Sequence, residues 1–154
     1  MPGNGKSVWG PPTWRLMHTL AAKIREDNFH LVRDDFIQLI NRICDNLPCP
    51  ECRAHAMQNI RTANLRNITS KSALIDFLYT FHNRVNSSTG KIIFRKEELD
   101  IYNKYSTLKV VNAFIEIYNK SQYNVRMMAD AFHRSELMKW LMSWLQRNGQ
   151  HLYG

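Results

Sequence analysis

The sequence predicts an all-α fold, a helix bundle with additional helices at its C-terminal end. Apolar residues recur at the three- and four-residue spacing of helices along most of the 154-residue chain. The one strand-like piece, residues 92–94, is too short to build a sheet. Hydrophobic residues make up 44% of the chain, and no internal repeat or low-complexity stretch interrupts it. We therefore expect one globular domain.

Two helices are predicted before the proline-containing break at residues 46–48. The first opens at Pro11 and Pro12, because proline suits the first turn of a helix. Its apolar positions recur at helical spacing: Trp14, Met17, Ala21 and Ile24. The second starts near Asp34 or Asp35, and its inward stripe consists of Phe36, Ile37, Ile40, Ile43 and Cys44. Cys44 is thus predicted to be a core residue.

The third predicted helix opens at Pro50 and fades near residues 62–64, and its inward positions are Cys52, Ala56, Met57 and Ile60. The fourth is capped by Ser70 or Ser72 and stops at the turn of residues 87–90. Its apolar stripe consists of Leu74, Leu78, Phe81 and Val85. Residues 97–105 and 108–118 are predicted to be helical as well. A last helix is apolar over more than half its circumference and must be covered: Leu137, Met138, Trp140, Leu141, Met142, Trp144 and Leu145.

The formal net charge of +8 comes from lysines and arginines scattered along the chain without a run of like charge. This pattern is typical of a solvated basic surface rather than a nucleic-acid footprint. The longest apolar segment, residues 137–145, is far shorter than the ~20 residues that a membrane span needs. The N-terminus lacks the apolar stretch of a secretion signal, so we expect a cytoplasmic protein. In a reducing compartment, three cysteines argue for metal or redox chemistry rather than a disulfide framework.

Cys49 and Cys52 flank Pro50 and Glu51 at the start of the third predicted helix. Cys49 takes the cap position and Cys52 lies one turn inside, where free amides and the helix dipole favour a thiolate. The same spacing lets the two sulfurs close a disulfide. The pair is thus predicted to be a dithiol that cycles between reduced and oxidised forms.

Zinc binding is the alternative, and four residues could supply ligands: Cys44, Cys49, Cys52 and His55. The chain would then be a zinc-stabilised Cys3His binding module whose basic surface contacts nucleic acid. Geometry weakens this alternative, because His55 lies about 120° around the helix from Cys49. Cys44, in turn, lies across a proline-containing break on another apolar stripe.

Polar residues on apolar helix faces indicate a bound ligand. His18 lies one turn after Trp14, and His82 and Asn86 lie one turn apart on the fourth predicted helix. Each one alone is ordinary for a hydrogen-bonded core residue. Together, histidines, asparagines and tryptophans on inward faces indicate a buried, flat, hydrogen-bonding ligand.

Three motifs resemble the flavin-linked sulfhydryl oxidases of the Erv/ALR type. They are TWRLMHTLAA at residues 13–22 after Gly10, LPCPEC at residues 47–52, and FHNRVNSSTGK at residues 81–91. They occur in the order and spacing of that family and cover roughly residues 9–105.

The resemblance implies a bundle of four helices plus a short fifth that holds FAD non-covalently. Residues 1–105 are then the FAD-binding core. Residues 106–154 are a C-terminal helical extension, packed on the core or at a dimer interface within a single domain. Cys49 resembles the cysteine that exchanges with a substrate dithiol, and Cys52 the cysteine that faces the flavin. Molecular oxygen is the usual electron acceptor, which gives hydrogen peroxide.

The resemblance also implies a set of cofactor-binding residues and no metal ligands. These residues come from the first-helix motif, the FHNRVN motif and one later aromatic position: Gly10, Thr13, Trp14, His18, Phe81, His82, Asn83, Val85, Asn86, Lys91 and Tyr102.

With three cysteines, the chain cannot carry the additional disulfide and shuttle pair of many cellular members. We therefore expect substrates to reach Cys49 directly and Cys44 to be a buried free thiol. The small cysteine set most resembles the versions encoded by large cytoplasmic DNA viruses, which implies a location in the host cytoplasm and the virion. Expected partners are protein dithiols, a thioredoxin-like or Cys-x-x-Cys relay protein, and a second copy of the chain in a homodimer.

Overall fold

The computed structural model describes residues 5–120 and 128–154. Over these residues the regular secondary structure is helical, which confirms the all-α prediction. The α-helices are α1 (Gly5–Lys23), α2 (Phe29–Asp45), α3 (Pro50–Thr62), α4 (Lys71–Ser88), α5 (Thr107–Lys120) and α6 (Met128–Asn148). Short 3₁₀ helices cover Glu26–Asn28, Leu65–Asn67, Lys96–Asn103 and Gly149–His151. An isolated antiparallel bridge joins Ile24 to Leu152.

The first two helices begin earlier than the sequence predicts. α1 begins at Gly5 and contains Pro11 and Pro12 in its interior, so the expected start at these prolines is wrong. The turn before the prolines carries Trp9, which is buried in the core at 8% exposure, and Thr13 Oγ1 donates to the Trp9 carbonyl at 2.7 Å. These contacts favour helix on both sides of the prolines.

α2 begins at Phe29, upstream of the predicted start at Asp34 or Asp35. Phe29 and Val32 are both buried, so the inward stripe extends one more turn towards the N-terminus. The predicted end is confirmed, because α2 stops at Asp45 before the break.

The predicted starts of α3 and α4 are confirmed. Pro50 is the first residue of α3 behind Cys49 at the cap, and Ser70 Oγ caps α4 by accepting from the Ala73 N–H at 3.1 Å. α4 ends at Ser88, and Gly90 follows in the left-handed region at φ 74°.

The strand-like residues 92–94 are not a strand in the structure, whereas the segment that follows them is helical. Residues 92–94 form no strand: Ile92 is 89% exposed, and the side chain of Asn83 pairs with the backbone of Phe94. The helical segment predicted at residues 97–105 is present as the 3₁₀ helix Lys96–Asn103.

One hydrophobic core joins all six α-helices. α1 packs against α4, α5 and the Lys96–Asn103 segment, while α2 packs against α3 and α6. The largest fully buried side chains include Trp144, Tyr118, Phe36 and Phe114.

The apolar face of α6 is only partly covered. Leu137, Leu141 and Trp144 are buried, whereas Met142 is 49% exposed. No helix in the described parts of the chain is long and apolar enough to cross a membrane.

Candidate active site

A disulfide between Cys49 and Cys52 lies at the N-terminus of α3. The two Cα atoms are 5.1 Å apart, and Cys49 Sγ accepts from the Cys52 backbone N–H at 3.2 Å. Pro48 ends the preceding segment and Pro50 starts the helix, so local sequence holds Cys49 at the cap. The arrangement is that of an exchangeable dithiol whose thiolates the helix N-terminus stabilises.

The zinc alternative receives no support from this arrangement. Two of its four ligands, Cys49 and Cys52, are bonded to each other. Within residues 5–120 and 128–154, no group of three or more His, Cys, Asp or Glu side chains is arranged to hold a metal ion.

A cavity of about 620 Å³ opens beside the disulfide. Residues of α1, α3, α4 and the segment that follows α4 line it, and Cys52 is part of its wall while Cys49 is not. Its volume lies within the range of about 300–1,000 Å³ that small-molecule sites occupy. The dithiol therefore contacts a potential ligand site through Cys52.

Most of the residues that the sequence assigned to a cofactor meet at this cavity. The lining includes nine of them, namely Gly10, Thr13, Trp14, Phe81, His82, Val85, Asn86, Lys91 and Tyr102. His18 and Asn83 lie outside the lining. His18 contacts the lining residues His82 and Tyr102, and Asn83 contacts the lining residue Asn86.

His18 belongs to a cluster of rings, here called the ring cluster, with Trp14, His82, Phe94 and Tyr102. Trp14 stacks on His82 with ring centroids 4.1 Å apart and planes 7° from parallel. His18 stacks on Tyr102 at 4.7 Å, and its Nε2 shares a hydrogen bond of 2.9 Å with His82 Nδ1. His18 thus holds the rings of two lining residues, His82 and Tyr102, without lining the cavity itself.

Burial keeps both histidines of the ring cluster neutral. Desolvation, with a smaller effect of His82, lowers the pKa of His18 to about 3. Desolvation and the nearby Lys91 charge lower the pKa of His82 to about 4. Near neutral pH, one imidazole N–H therefore donates to the unprotonated nitrogen of the other ring.

Asn83 fastens the segment after α4 to the helix. Its Nδ2 donates to the Phe94 carbonyl at 3.0 Å, and its Oδ1 accepts from the Phe94 N–H at 3.1 Å. Asn86 Nδ2 also donates to Asn83 Oδ1 at 3.3 Å, and the Asn86 carbonyl accepts from the Lys91 N–H at 2.8 Å. These bonds help to place Lys91 at the cavity and Phe94 in the ring cluster.

Several lining residues were not predicted from the sequence. Arg15, Asn59 and Tyr105 line the cavity, as do His55 and Cys44. His55 and Asn59 follow Cys52 at helical spacing, a signal that could have found them. Cys44 is buried and free as predicted, and burial together with Asp45 raises the pKa of its thiol to about 12.

The fold and the site together define a helical redox protein that carries a Cys-x-x-Cys disulfide in the wall of a ligand cavity. The chain belongs to the Erv1 / Alr family, whose family model matches residues 11–106. This confirms the resemblance carried by the three motifs.

Named relatives agree with the family. The chain is 33% identical over 95 residues to the FAD-linked sulfhydryl oxidase ERV1 of Arabidopsis thaliana, an alignment that covers 62% of this chain and 49% of the relative. It is 35% identical over 89 residues to the rice protein of the same name, covering 58% and 45%. It is 29% identical over 103 residues to the FAD-linked sulfhydryl oxidase of African swine fever virus (isolate Warthog/Namibia/Wart80/1980), covering 67% and 86%. The chain thus spans about half the length of the plant relatives. No solved structure matches the chain significantly.

Proposed function

We propose that the protein is an FAD-dependent thiol oxidase that forms disulfide bonds in substrate proteins. The observation that carries the proposal is the position of the disulfide, with Cys52 in the cavity wall and Cys49 outside it. The names of the plant and viral relatives support the same activity.

The residues of the cavity fit FAD. Trp14, His82 and Tyr102 offer ring faces, Asn59 and Asn86 offer amides, and Arg15 and Lys91 offer positive charge. These are the partners that flat heterocycles, ribose hydroxyls and phosphates require. We infer that the nine predicted lining residues contact FAD without a covalent bond, and that His18 and Asn83 hold their neighbours in place.

Cys49 exchanges with the substrate in two steps. A substrate thiolate attacks Cys49 Sγ, which breaks the Cys49–Cys52 bond, forms a mixed disulfide and releases the Cys52 thiolate. The second substrate thiolate attacks the substrate sulfur of the mixed disulfide and releases Cys49 as the leaving thiolate. The Cys52 backbone N–H, 3.2 Å from Cys49 Sγ in the disulfide, and the helix N-terminus stabilise that leaving group.

The substrate has then lost two electrons and two protons, and the protein holds a reduced Cys49–Cys52 pair. FAD held by the cavity residues would supply the acceptor for these two electrons, and molecular oxygen would then be reduced to hydrogen peroxide. We assign this transfer to Cys52, and its position in the cavity lining supports the assignment. The Cys49–Cys52 bond reforms, and the cycle closes.

The remaining sequence-based predictions belong to this proposal. We infer protein dithiols as substrates, with a thioredoxin-like or Cys-x-x-Cys relay protein among them, and a homodimer as the working form. The viral relative supports action in the host cytoplasm. The division into a core at residues 1–105 and an extension at 106–154 stays a prediction.

The purified full-length protein should be yellow and release FAD on denaturation. Cys49→Ser and Cys52→Ser should each abolish oxygen consumption with a dithiol substrate while FAD stays bound, because each removes one half of the exchanging pair. Cys44→Ser, at the free cysteine, is the matched control and should keep most of the activity. A colourless protein with stoichiometric zinc would contradict the proposal, and so would full oxidase activity in either serine variant.

A further inference from the structure

Two basic side chains, Arg15 and Lys91, line the cavity. Among the residues that the structure describes, no aspartate or glutamate lines the cavity, whereas Arg15 and Lys91 do. Neither cation forms an ion pair with any described side chain. Two cations without a carboxylate partner beside a large cavity favour an anionic ligand.

Arg15 lines the cavity and contacts the ring of Tyr105. It follows Trp14 on α1 and is half-buried, and its guanidinium carbon lies 5.8 Å from the centroid of the Tyr105 ring. Tyr102 and Tyr105, which pack edge to face with centroids 5.8 Å apart, line the same part of the wall. Such a cation–π contact restrains the side chain while its N–H groups remain available to a ligand.

We propose that Arg15 binds the phosphate groups of the cofactor and makes the cavity select phosphate-bearing flavins over riboflavin. This inference rests on the proposed function, since it names the ligand groups that the oxidase cavity recognises. A guanidinium presents five N–H donors in a fork that matches two phosphate oxygens, whereas Lys91 supplies a single point of charge. Arg15 is a binding residue in this assignment and takes no part in thiol exchange.

The test is the affinity of the full-length protein for FAD, measured by the fluorescence of FAD released on dilution. Arg15→Gln should weaken FAD binding by about tenfold to hundredfold, as expected for one lost charge-assisted contact. Its affinity should also depend less on salt concentration, because one phosphate contact is gone. Riboflavin, which has no phosphate, should bind the variant and the wild type equally.

Two further variants keep the test decisive. Arg84→Gln removes an exposed arginine of α4 outside the cavity and should release FAD as the wild type does. Arg15→Lys keeps the charge without the fork and should lie between the wild type and Arg15→Gln. Equal FAD affinity in wild type, Arg15→Gln and Arg15→Lys would overturn the assignment of Arg15 and leave the oxidase proposal standing. A wild-type protein that binds no FAD at all would overturn both.

Discussion

His18 and His82 show how burial sets the charge of single residues at this site. Each ring is packed against other rings of the ring cluster, and the two share one hydrogen bond of 2.9 Å. Two protonated imidazoles could not share that bond, since both facing nitrogens would be donors. The ring cluster therefore requires both histidines to be neutral.

This charge state predicts that the protein loses stability as the pH falls below about 6.5. The folded-state pKa values of about 3 and about 4 lie below the ordinary value of 6.5. Between pH 6.5 and 4, the unfolded chain therefore binds protons that the folded chain refuses. Each histidine contributes up to about 1.4 kcal/mol per pH unit to the decline of the unfolding free energy.

Urea denaturation at pH 7.5, 6.0 and 5.0 measures this decline. His18→Gln should make the pH dependence shallower, because it removes the more deeply buried imidazole. His30→Gln removes an imidazole from the exposed face of α2 and serves as the control. An unfolding free energy that is as pH-dependent in His18→Gln as in the wild type would contradict the explanation.

At the residue scale, the sequence indicates which kinds of chemistry the side chains can perform, but it does not predict all of the contacts between them. Cys49, Cys52 and His82 were singled out because their types and spacing are typical of redox exchange and ring recognition, and the structure brings them to one region. Arg15 was not predicted as a lining residue. It directly follows Trp14, and because adjacent helix residues point in different directions, helical spacing does not indicate that both line the same cavity. His18 was predicted as a cofactor contact, yet it lies behind the lining because its imidazole turns to His82 and Tyr102.

At the scale of elements, the Asn83 side chain anchors the segment after α4 to that helix. Asn83 pairs with both the N–H and the carbonyl of Phe94, as a neighbouring strand would. This explains why apolar residues 92–94 need no sheet, although their composition is strand-like. The backbone polar groups of Phe94 are satisfied by a helix side chain instead.

Asn83→Ala should therefore release this segment. We expect a loss of about 1–3 kcal/mol in unfolding free energy, because Phe94 keeps backbone polar groups without their partner. Amide hydrogen exchange at Phe94 should accelerate in the variant. Asn67→Ala, at an exposed position of the Leu65–Asn67 segment, is the control. Unchanged exchange at Phe94 in Asn83→Ala would show that other contacts hold the segment.

The starts of α1 and α2 show where the sequence pattern is insufficient. Proline was taken as a helix start because it lacks an N–H, yet a helix already formed by packing tolerates it at a cost. The burial of Trp9 and Phe29 extends both helices upstream, and burial is a property of the folded chain. By contrast, the starts of α3 and α4 were predictable, since Cys49 and Ser70 cap them through local hydrogen bonds.

At the scale of the whole molecule, α6 packs on the bundle through Trp144. This side chain has no exposed surface, packs edge to face on Phe36 at 5.9 Å and donates Nε1–H to the Asp35 carbonyl at 2.9 Å. Asn148 Nδ2 adds a bond of 3.1 Å to Asp35 Oδ2. These contacts hold α6 against α2.

Trp144→Ala should accordingly destabilise the entire protein. The loss of a fully buried tryptophan costs about 3–5 kcal/mol, and helix content and FAD should be lost together at a lower temperature. Trp140→Ala is the matched control, because Trp140 is only partly buried and packs beside Arg42. A variant that keeps FAD to the wild-type temperature while losing helical signal would instead identify α6 as an independent unit.

The placement of the two active-site sulfurs has a consequence for how such an enzyme diversifies. Cys52 belongs to the cavity wall and Cys49 does not, so one covalent bond joins two surfaces with separate amino-acid environments. Under the proposed function, substitutions around Cys49 would act on the choice of substrate protein, and substitutions inside the cavity would act on the flavin and its electron transfer. The two properties would then depend largely on different residues.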